Sequence, residues 1–589
     1  MLNQPMTNPP TTNGPMGPEL TLRAIATGMI LGGVLSLVNI YTGLKIGWGF
    51  NMSITAMLLS VGFYQVASRA GAREWGMLEN NIGQTAASAG ANISSAGLVA
   101  PIPALTMITG MTFSWAVLSV WTFAVAFVGV VVAVGLRRQM LEVDKLPFAN
   151  GIASAETIKS VYSAGSEAMA RVKALVIGGL FGGVAKLAIH VMKWKHIALP
   201  GALGGYPLMN LGFSLNPSPL MVAVGTIVGP RAGISMLIGA AVAFGWLAPH
   251  ALDAGWAAAG DDPAKSWFGS INKWMLWPGV SLMVTASLTS FAFSWRSIAK
   301  ALRGTSNLGE SSEGDVPRSW FIGGLVLAMA IACGTQMAFF DLPLWVALTA
   351  VLLTFLLAIV AGRVSGETNI TPVGAMGKVT QLTFGILNPG NAASNLMAAN
   401  VTGGAASQTA DMLHDLKTGL LIGATPRFQA IAQVFGVMAG ALAGSAAYLL
   451  IIPDPTNMLL TDDWPAPAVA AWKGVAELFL EGLDAMPEMA VTAMAIAGGA
   501  GVVLAVLEKV LPKKTARWVP SPAAMGIAFV IPASYSISMA LGGVISLLAL
   551  RMNETWAKRF VVVIASGIVA GEGLVGVGLA IQKVLEGGG

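Results

Sequence analysis

Hydrophobic residues occur along this chain in long blocks rather than in the short alternating runs of soluble strands. Each block is close to the ~20 apolar residues that a helix needs to cross the hydrocarbon core of a bilayer. Polar segments separate the blocks. The pattern predicts membrane-spanning helices at Leu22–Tyr41, Trp48–Ala67, Trp115–Leu136, Val172–Met192, Pro219–Pro249, Trp274–Trp295, Trp320–Phe340, Leu344–Gly362, Phe428–Ile452, Met489–Leu507, Ala523–Leu550 and Val561–Ile581.

The composition favours the same architecture. Of the 589 residues, 55% are hydrophobic and only 10% are charged, whereas a soluble domain has roughly 25% charged residues. The hydrophobic total is enough for about 16 spans of ~20 residues. We therefore predict an all-α polytopic membrane protein with about 16 transmembrane helices.

Two segments of the chain resemble each other. Residues 217–239 read PSPLMVAVGTIVGPRAGISMLIG and residues 520–542 read PSPAAMGIAFVIPASYSISMALG, at a constant offset of 303 residues (520 minus 217). Each copy has a proline near its middle, which interrupts a helix. The repeat predicts two similar transmembrane halves, a plan common in secondary transporters; chance likeness between Gly/Ala-rich spans is the alternative. The predicted divisions are a disordered cytoplasmic tail at 1–20, a first half at 21–295, a cytoplasmic linker loop at 296–318 and a second half at 319–589.

The charges between the apolar blocks predict an orientation. Two of the intervening segments, 250–263 and 453–465, carry aspartates and no Lys or Arg. Because basic loops stay preferentially in the cytoplasm, we expect a cytoplasmic N-terminus. The basic residues that carry this prediction cluster at 69–73, 137–173, 296–318, 509–517 and 551–559.

Two further segments consist of small and amide-bearing residues. They are Asn80–Gly97 (NNIGQTAASAGANISSAG) and Asn388–Ala410 (NPGNAASNLMAANVTGGAASQTA). Polar groups at membrane depth are tolerated when they are buried in protein or line water. We predict one broken or re-entrant helix in each half at these segments. Close packing of small residues between helices is the alternative.

A first group of charges flanks Pro372. A charged side chain at the centre of a membrane helix costs ~2.5–3.5 kcal/mol on insertion scales, so such residues are functional candidates. Glu367 and Lys378 lie on either side of the proline, with Asn369 and Gln381 nearby. We predict that the interrupted helix brings Glu367 and Lys378 together. The alternative is a cytoplasmic turn that holds an ordinary ion pair.

A second group of charges has helical spacing. Asp411, His414 and Asp415 share one face of a helix, where two carboxylates beside a histidine can relay protons. The same trio is compatible in principle with a divalent metal, and a helix at the membrane edge is a further alternative. Glu572 is an isolated acid inside the last apolar block, which favours a carboxylate in the bundle interior.

These features define two sets of candidate side chains. The candidate substrate-binding residues are Asn80, Asn81, Gln84, Asn369, Lys378, Gln381, Asn391 and Asn395. The candidate proton-coupling residues are Glu367, Asp411, His414, Asp415 and Glu572.

Several function classes are disfavoured. The run GAMGKV at 374–379 lacks the first glycine and the Ser/Thr of a phosphate-binding loop. The H-E-x-x-H and G-x-S-x-G patterns are absent from the sequence, and the single Cys333 excludes an intramolecular disulfide framework. We predict a protein that is not an enzyme or an ATP-driven pump, that needs no cofactor or resident metal, and that binds no nucleic acid.

Six segments resemble the oligopeptide transporter (OPT) family, which includes the yellow-stripe-like metal-chelate transporters. They occur in family order across nearly the whole chain, and the absence of a long N-terminal region makes it similar to the compact prokaryotic members. The segments are NIYTGLKIG (39–47), NNIGQTAASAG (80–90), DKLPFANGIASAE (144–156), PSPLMVAVGTIVGPRAGISMLIG (217–239), GETNITPVGAMGKVTQLTFG (366–385) and TADMLHDLKTGLLIGATPRFQ (409–429).

The resemblance implies a transporter in a bacterial inner membrane. The expected activity is proton-coupled import of small oligopeptides by alternating access. The alternative is transport of metal chelates of siderophore or nicotianamine type, or of metal ions. The expected partners are therefore small peptides or metal-chelate complexes, protons and the lipid bilayer, with a homo-oligomer left open.

Overall fold

The computed structural model describes residues 18–47, 49–163, 165–194, 196–303, 315–484 and 486–586. Trp48, at the start of the predicted second span, lies outside the described residues. So do residues 1–17 of the predicted tail and residues 304–314 of the predicted linker loop.

The described part of the chain is almost entirely helical. Two antiparallel pairs of two-residue strands, β1 (Ile197–Ala198) with β4 (Ser214–Leu215) and β2 (Ala202–Leu203) with β3 (Tyr206–Pro207), are its only sheets. The helices are α1 (Leu22–Ile46), α2 (Ser53–Arg69), α3 (Met77–Ala91), α4 (Pro101–Thr109), α5 (Trp115–Arg137), α6 (Ala149–Ser163), α7 (Gly165–Val191), α8 (Pro219–Val228), α9 (Pro230–Ala240), α10 (Ala248–Asp253), α11 (Phe268–Ala292), α12 (Trp295–Arg303), α13 (Arg318–Phe340), α14 (Leu344–Thr368), α15 (Val373–Leu387), α16 (Ala392–Ile422), α17 (Pro426–Ile451), α18 (Pro455–Met458), α19 (Pro467–Glu481), α20 (Ala490–Val510), α21 (Lys513–Ala516), α22 (Pro522–Ala528), α23 (Ala533–Met552) and α24 (Glu554–Leu585).

Twelve helical segments within the described ranges are long and apolar enough to cross a membrane. The all-α, polytopic membrane architecture is therefore confirmed. The figure of about 16 spans stays a prediction, because several helices fall below that combined length and apolarity.

Proline interrupts both copies of the repeated segment, as predicted. In the first copy α8 ends at Val228, Gly229 takes a φ of +89°, and α9 begins at Pro230. In the second copy α22 ends at Ala528, and α23 begins directly after Pro532. Proline lacks the N–H that would continue the helix, so each copy folds as two helices.

The two copies pack against each other with equivalent contacts. A side chain added at Gly239 would meet the carbonyl of Met525, and one added at Gly542 would overlap the carbonyl of Val222. The 303-residue offset relates Gly239 to Gly542 and Val222 to Met525. Reciprocal contacts of this kind are what a local two-fold relation produces. The glycines let the helices approach with their backbones in contact.

The two polar segments behave differently. The first is broken as predicted: α3 ends at Ala91, a 3₁₀ turn follows, and Gly97 takes a φ of +126° before α4. The second begins with a turn at residues 388–391, between α15 and α16, but from Ala392 onward α16 runs unbroken over 31 residues. Its polar side chains find lateral partners: Thr409 donates to the carbonyl of Gly129 at 3.0 Å, and Thr402 bonds Thr354 at 2.9 Å. A helix whose polar side chains are satisfied this way does not need to unwind.

The segment predicted as a linker loop begins with a helix. Helix α12 occupies its first residues and packs against α14, where the Ser297 hydroxyl donates to Glu367.

We expect Gly542→Val to lower the melting temperature of the purified protein in detergent. The new side chain would overlap the Val222 carbonyl, and overpacking of this kind costs ~1–3 kcal/mol. Gly499→Val in α20 is the matched control, since no atom lies within 4 Å of the position of its added Cβ. Equal melting temperatures for the two variants would contradict the close contact between the repeat copies.

Candidate functional site

A polar cavity of about 420 Å³ lies in the bundle interior. It is bordered by α16, α19, the broken end of α3 and the segments around residues 49–52 and 369–374. Its volume is in the range of ~300–1,000 Å³ typical of small-molecule sites. The side chains with hydrogen-bonding groups that line it are Asn51, Ser88, Asn92, Ser94, Ser95, Asn150, Asn369, Thr371, Ser407, Asp411, His414 and Trp472.

Asn39 on α1 holds the extended segment that forms one wall. Its Nδ2 donates to the carbonyls of Phe50 and Ala91, each at 3.0 Å, and its Oδ1 accepts the N–H of Phe50 at 3.0 Å. One buried amide thus ties α1, the end of α3 and the segment before α2 together. Because the segment is extended, its buried backbone N–H and C=O groups have no helical partners. The Asn39 amide supplies hydrogen bonds to those of Phe50.

A pair of asparagines fixes the opposite wall. Asn369 ends α14 in the left-handed region, at a φ of +61°. Its Nδ2 donates to Asn150 Oδ1 at 2.9 Å, and its Oδ1 accepts the backbone N–H of Asn150 at 2.9 Å. The two amides connect the break after α14 to the start of α6, and both line the cavity.

Asp411 presents a carboxylate to the cavity. It is 9% exposed, and the Ser88 hydroxyl lies 2.9 and 3.1 Å from its two oxygens. Asn51 donates to it at 3.4 Å. All of its hydrogen-bond donors in the described ranges are neutral.

Asp415 lies one helical turn further along α16 and deeper in the protein, at 1% exposed. It accepts from Gln433 at 3.0 Å, from Gln84 at 3.2 Å and from Ser53 at 3.4 Å. The Ser53 hydroxyl, whose single proton can go to either acceptor, also lies 3.0 Å from the Ser88 hydroxyl, so hydroxyls connect the two carboxylates. Within the described ranges, no Lys, Arg or His lies within ion-pair distance of either carboxylate. Two buried acids one turn apart therefore share neutral partners only.

A chain of amides leads from Asp415 back to the cavity. Asn92, which lines the cavity, donates to Gln408 at 3.1 Å; Gln408 donates to Gln433 at 2.8 Å. Gln433 in turn donates to Asp415. Gln408 and Gln433 each accept a hydrogen bond at the side-chain oxygen and donate one from the side-chain nitrogen. All three hydrogen bonds therefore point from the cavity towards Asp415.

His414 lines the cavity but turns away from the two aspartates. Its Nε2 is 3.2 Å from the Ser365 hydroxyl, and its ring meets Phe148 edge-on with centroids 5.2 Å apart. Among the described residues, no three His, Cys, Asp or Glu side chains converge as metal ligands. In this conformation Asp411, His414 and Asp415 therefore do not converge on one point.

The prediction that Glu367 and Lys378 approach each other is wrong. Helix α14 continues to Thr368, so Glu367 faces Arg363 one turn earlier, at 3.1 Å, and its side chain is 28% exposed. Lys378 points instead toward α19, where it donates to the carbonyl of Ala471 at 3.0 Å. Pro372 lies between the end of α14 and the start of α15, and this break does not bring Glu367 and Lys378 into contact.

Lys378, Gln381 and Asn395 form a separate buried cluster. Lys378 donates to Gln381 at 2.6 Å. Gln381 donates to Asn395 at 2.9 Å, and Asn395 donates back to the Gln381 carbonyl at 2.8 Å. Three of the candidate substrate-binding residues are thus together, outside the 420 Å³ cavity.

The remaining candidates lie away from that cavity. Asn80 accepts from Ser60 at 2.7 Å, and the Asn81 amide is buried with no hydrogen-bond partner in the described structure. Asn391 caps α16 by accepting the Ser394 N–H at 2.8 Å. Glu572 is buried, as predicted, and accepts from the Ser218 hydroxyl and from the Leu220 N–H at 2.8 Å.

Comparison with known proteins decides the family. A family model described as "OPT oligopeptide transporter protein" matches residues 19–583. This chain belongs to the oligopeptide transporter family. Members of the OPT family are transporters rather than enzymes, and the apolar helices show an integral membrane protein.

Curated relatives match most of the chain. A putative oligopeptide transporter of Saccharomyces cerevisiae is 24% identical, over 96% of each chain. A metal-nicotianamine transporter of Arabidopsis thaliana is 23% identical, over 95% of this OPT protein and 92% of the relative. A probable metal-nicotianamine transporter of Oryza sativa subsp. japonica is 25% identical, over 77% and 67%.

We expect Asn369→Ala to destabilise the protein more than Asn369→Gly. Both variants lose the bonds to Asn150, but alanine also pays ~1–2 kcal/mol for the left-handed backbone. Melting temperatures in detergent measure the difference. Asp341→Ala is the control, because Asp341 is exposed and ends α13 at a φ of +53° without such a clamp. A larger loss for Asp341→Ala than for Asn369→Ala would contradict the structural role of the asparagine pair.

Proposed function

We propose that this OPT protein is a proton-coupled symporter that imports small oligopeptides by alternating access, with the 420 Å³ cavity as the substrate site. The observation that carries the proposal is the pair Asp411 and Asp415. Both are buried, both lack a neighbouring cation in the described structure, and one of them borders the cavity.

The lining of the cavity matches the chemistry of a peptide. Amide and hydroxyl side chains offer both donors and acceptors, which a desolvated peptide backbone needs. Among the described residues of the lining, Asp411 is the only acidic one, and there is no Lys or Arg. The cavity therefore suits a group with a positive charge, such as the amino terminus of a peptide.

In this proposal the pair Asp411 and Asp415 binds the coupling proton. Two carboxylates this close in a low dielectric disfavour double ionisation, so one proton on the pair is retained. In the proposed cycle Asp411 receives the substrate ammonium while Asp415 holds the proton. Glu367 and Glu572 are not assigned this role, because neither borders the cavity and neither is connected to Asp411, as Asp415 is through the Ser53 and Ser88 hydroxyls.

The proposed orientation places the basic segments in the cytoplasm of a bacterium, with the transporter in the inner membrane. One ion pair, Arg137 with Asp315, joins two of these segments. A second connects Asp144, in one of them, to Arg363 of α14 at 2.6 Å. Helices α2, α15, α16 and α19 are the further elements that bring the proposed number of crossings to about 16.

A metal-chelate substrate is the second candidate. The relatives named as metal-nicotianamine transporters support it. Counterflow separates the two: vesicles loaded with unlabelled tripeptide accumulate labelled tripeptide if peptides are carried, and an iron chelate competes only if chelates share the site. Accumulation of the chelate without accumulation of peptide would replace the first proposal by the second.

Asp415→Asn tests the coupling role. We expect uptake of labelled dipeptide into proteoliposomes to lose its response to an imposed pH gradient, while dipeptide counterflow continues, because asparagine cannot carry the proton between the two faces. Asp341→Asn, at an exposed aspartate, is the control and should keep the response. Gradient-driven uptake by Asp415→Asn at the wild-type rate would contradict the proposal.

Gln408→Leu tests the amide chain. We expect the apparent affinity for peptide to depend less on pH than in the wild type, because Asn92 is then disconnected from Asp415. Gln336→Leu is the matched control: Gln336 is equally buried but bonds only the Ala332 carbonyl of its own helix, at 3.0 Å. Identical pH profiles for wild type and Gln408→Leu would remove the chain from the coupling mechanism.

A further inference from the structure

Lys378 is a buried lysine, and no described residue places an anion beside it. Its side chain is 4% exposed. The ammonium donates to Gln381 and to the Ala471 carbonyl, and it lies 4.6 Å from the centre of the Trp472 ring. No carboxylate of the described residues is within ion-pair distance of it. A cation in a membrane interior normally pairs with an opposite charge or marks a ligand pathway.

A second cavity adjoins this ammonium. Its volume is about 190 Å³, and it lies between α11, α15, α19 and α22. Of the described residues that line it, Lys378 is the only charged one; Ser287 and Trp472 supply the other polar side-chain groups. One wall is Ala523 of α22, which belongs to the second repeat copy.

Trp472 forms a partition between the two cavities. Its side chain lines both of them, as do Gly374 and Ala468. The indole is seated on glycine: a Cβ added at Gly377 would lie 2.7 Å from the ring, and one added at Gly403 would lie 3.5 Å from it. The absence of a side chain at these two glycines lets the indole pack directly against α15 and α16.

We propose that Lys378 binds the carboxylate of the substrate in this second cavity, reached when the Trp472 side chain turns aside. The proposal rests on the peptide-import function above and extends it to the other end of the peptide. The two acceptors that hold the ammonium are neutral, so an entering carboxylate would be its first oppositely charged partner at this site. Asp411 and Lys378 would then bind the two termini of a zwitterion on opposite sides of the indole.

A second buried lysine, Lys417, forms a hydrogen bond within the bundle but borders neither cavity. Lys417 on α16 is also buried and donates to a backbone carbonyl, that of Leu146, at 3.1 Å. It does not line either cavity. Lys417 therefore supplies a control for the loss of a buried ammonium as such.

The test compares a labelled dipeptide that has a free carboxyl terminus with the same dipeptide as its C-terminal amide. In proteoliposome counterflow, we expect the wild type to prefer the free acid. We expect Lys378→Met to lose this preference, through weaker binding of the acid and unchanged binding of the amide. Lys417→Met should keep the wild-type preference.

Ala523→Leu is a second variant that leaves the lysine in place. Because it fills the cavity beside Lys378, we expect it to reduce the preference for the free acid as well. It keeps the test decisive if Lys378→Met does not fold, which melting temperatures in detergent would show.

The outcomes separate the two proposals. If Lys378→Met or Ala523→Leu lowers transport of acid and amide by the same factor, Lys378 is only a tether between α15 and α19, and the carboxylate site is wrong. A wild type that carries both dipeptides equally also overturns the site but leaves peptide transport intact. A wild type that carries neither dipeptide refutes the peptide-import function instead.

Discussion

Two carboxylates are buried on one helix, and no described residue supplies a cation to pair with them. The interior of this protein is arranged around the need to stabilise them. Asp411 and Asp415 can be kept in a low-dielectric interior only if neutral donors surround them. Those donors come from α2, α3 and α17 as well as from the segment before α2, through Ser53, Ser88 and Gln433. Polar bonds as well as apolar packing therefore hold the bundle around α16. The cavity borders Asp411, which has fewer hydrogen-bond donors around it than Asp415.

Close helix packing makes this arrangement sterically feasible. Gly129 of α5 and Gly151 of α6 each approach the backbone of α16 so closely that any side chain would overlap it. In a lipid environment such contacts replace the hydrophobic driving force that assembles soluble helices. They bring hydroxyls and amides within reach of α16 along its whole length, which is why a helix this polar remains continuous and buried.

Sequence patterns predict the local features of this fold and miss those that depend on distant partners. Apolar blocks and prolines predicted most of the spans and both interruptions of the repeat, since hydropathy and the missing proline N–H act within one segment. In the second polar segment only the turn at residues 388–391 interrupts the helix, and α16 beyond it is continuous because other helices satisfy its polar side chains. In the cavity, Asp411, His414 and Asn369 were candidates, whereas Asn51, Asn92 and Trp472 were not. Nothing in their local sequence indicates that residues this far apart meet.

The most direct test of the central claim is infrared difference spectroscopy of the reconstituted protein, recorded on addition of peptide. A proton held by the aspartate pair predicts a carbonyl band from a protonated carboxylic acid, which shifts when peptide binds. The band should be absent from the Asp411→Asn, Asp415→Asn double variant. The same band at the same intensity in the double variant would show that the proton resides elsewhere and would contradict the assignment of the coupling site to α16.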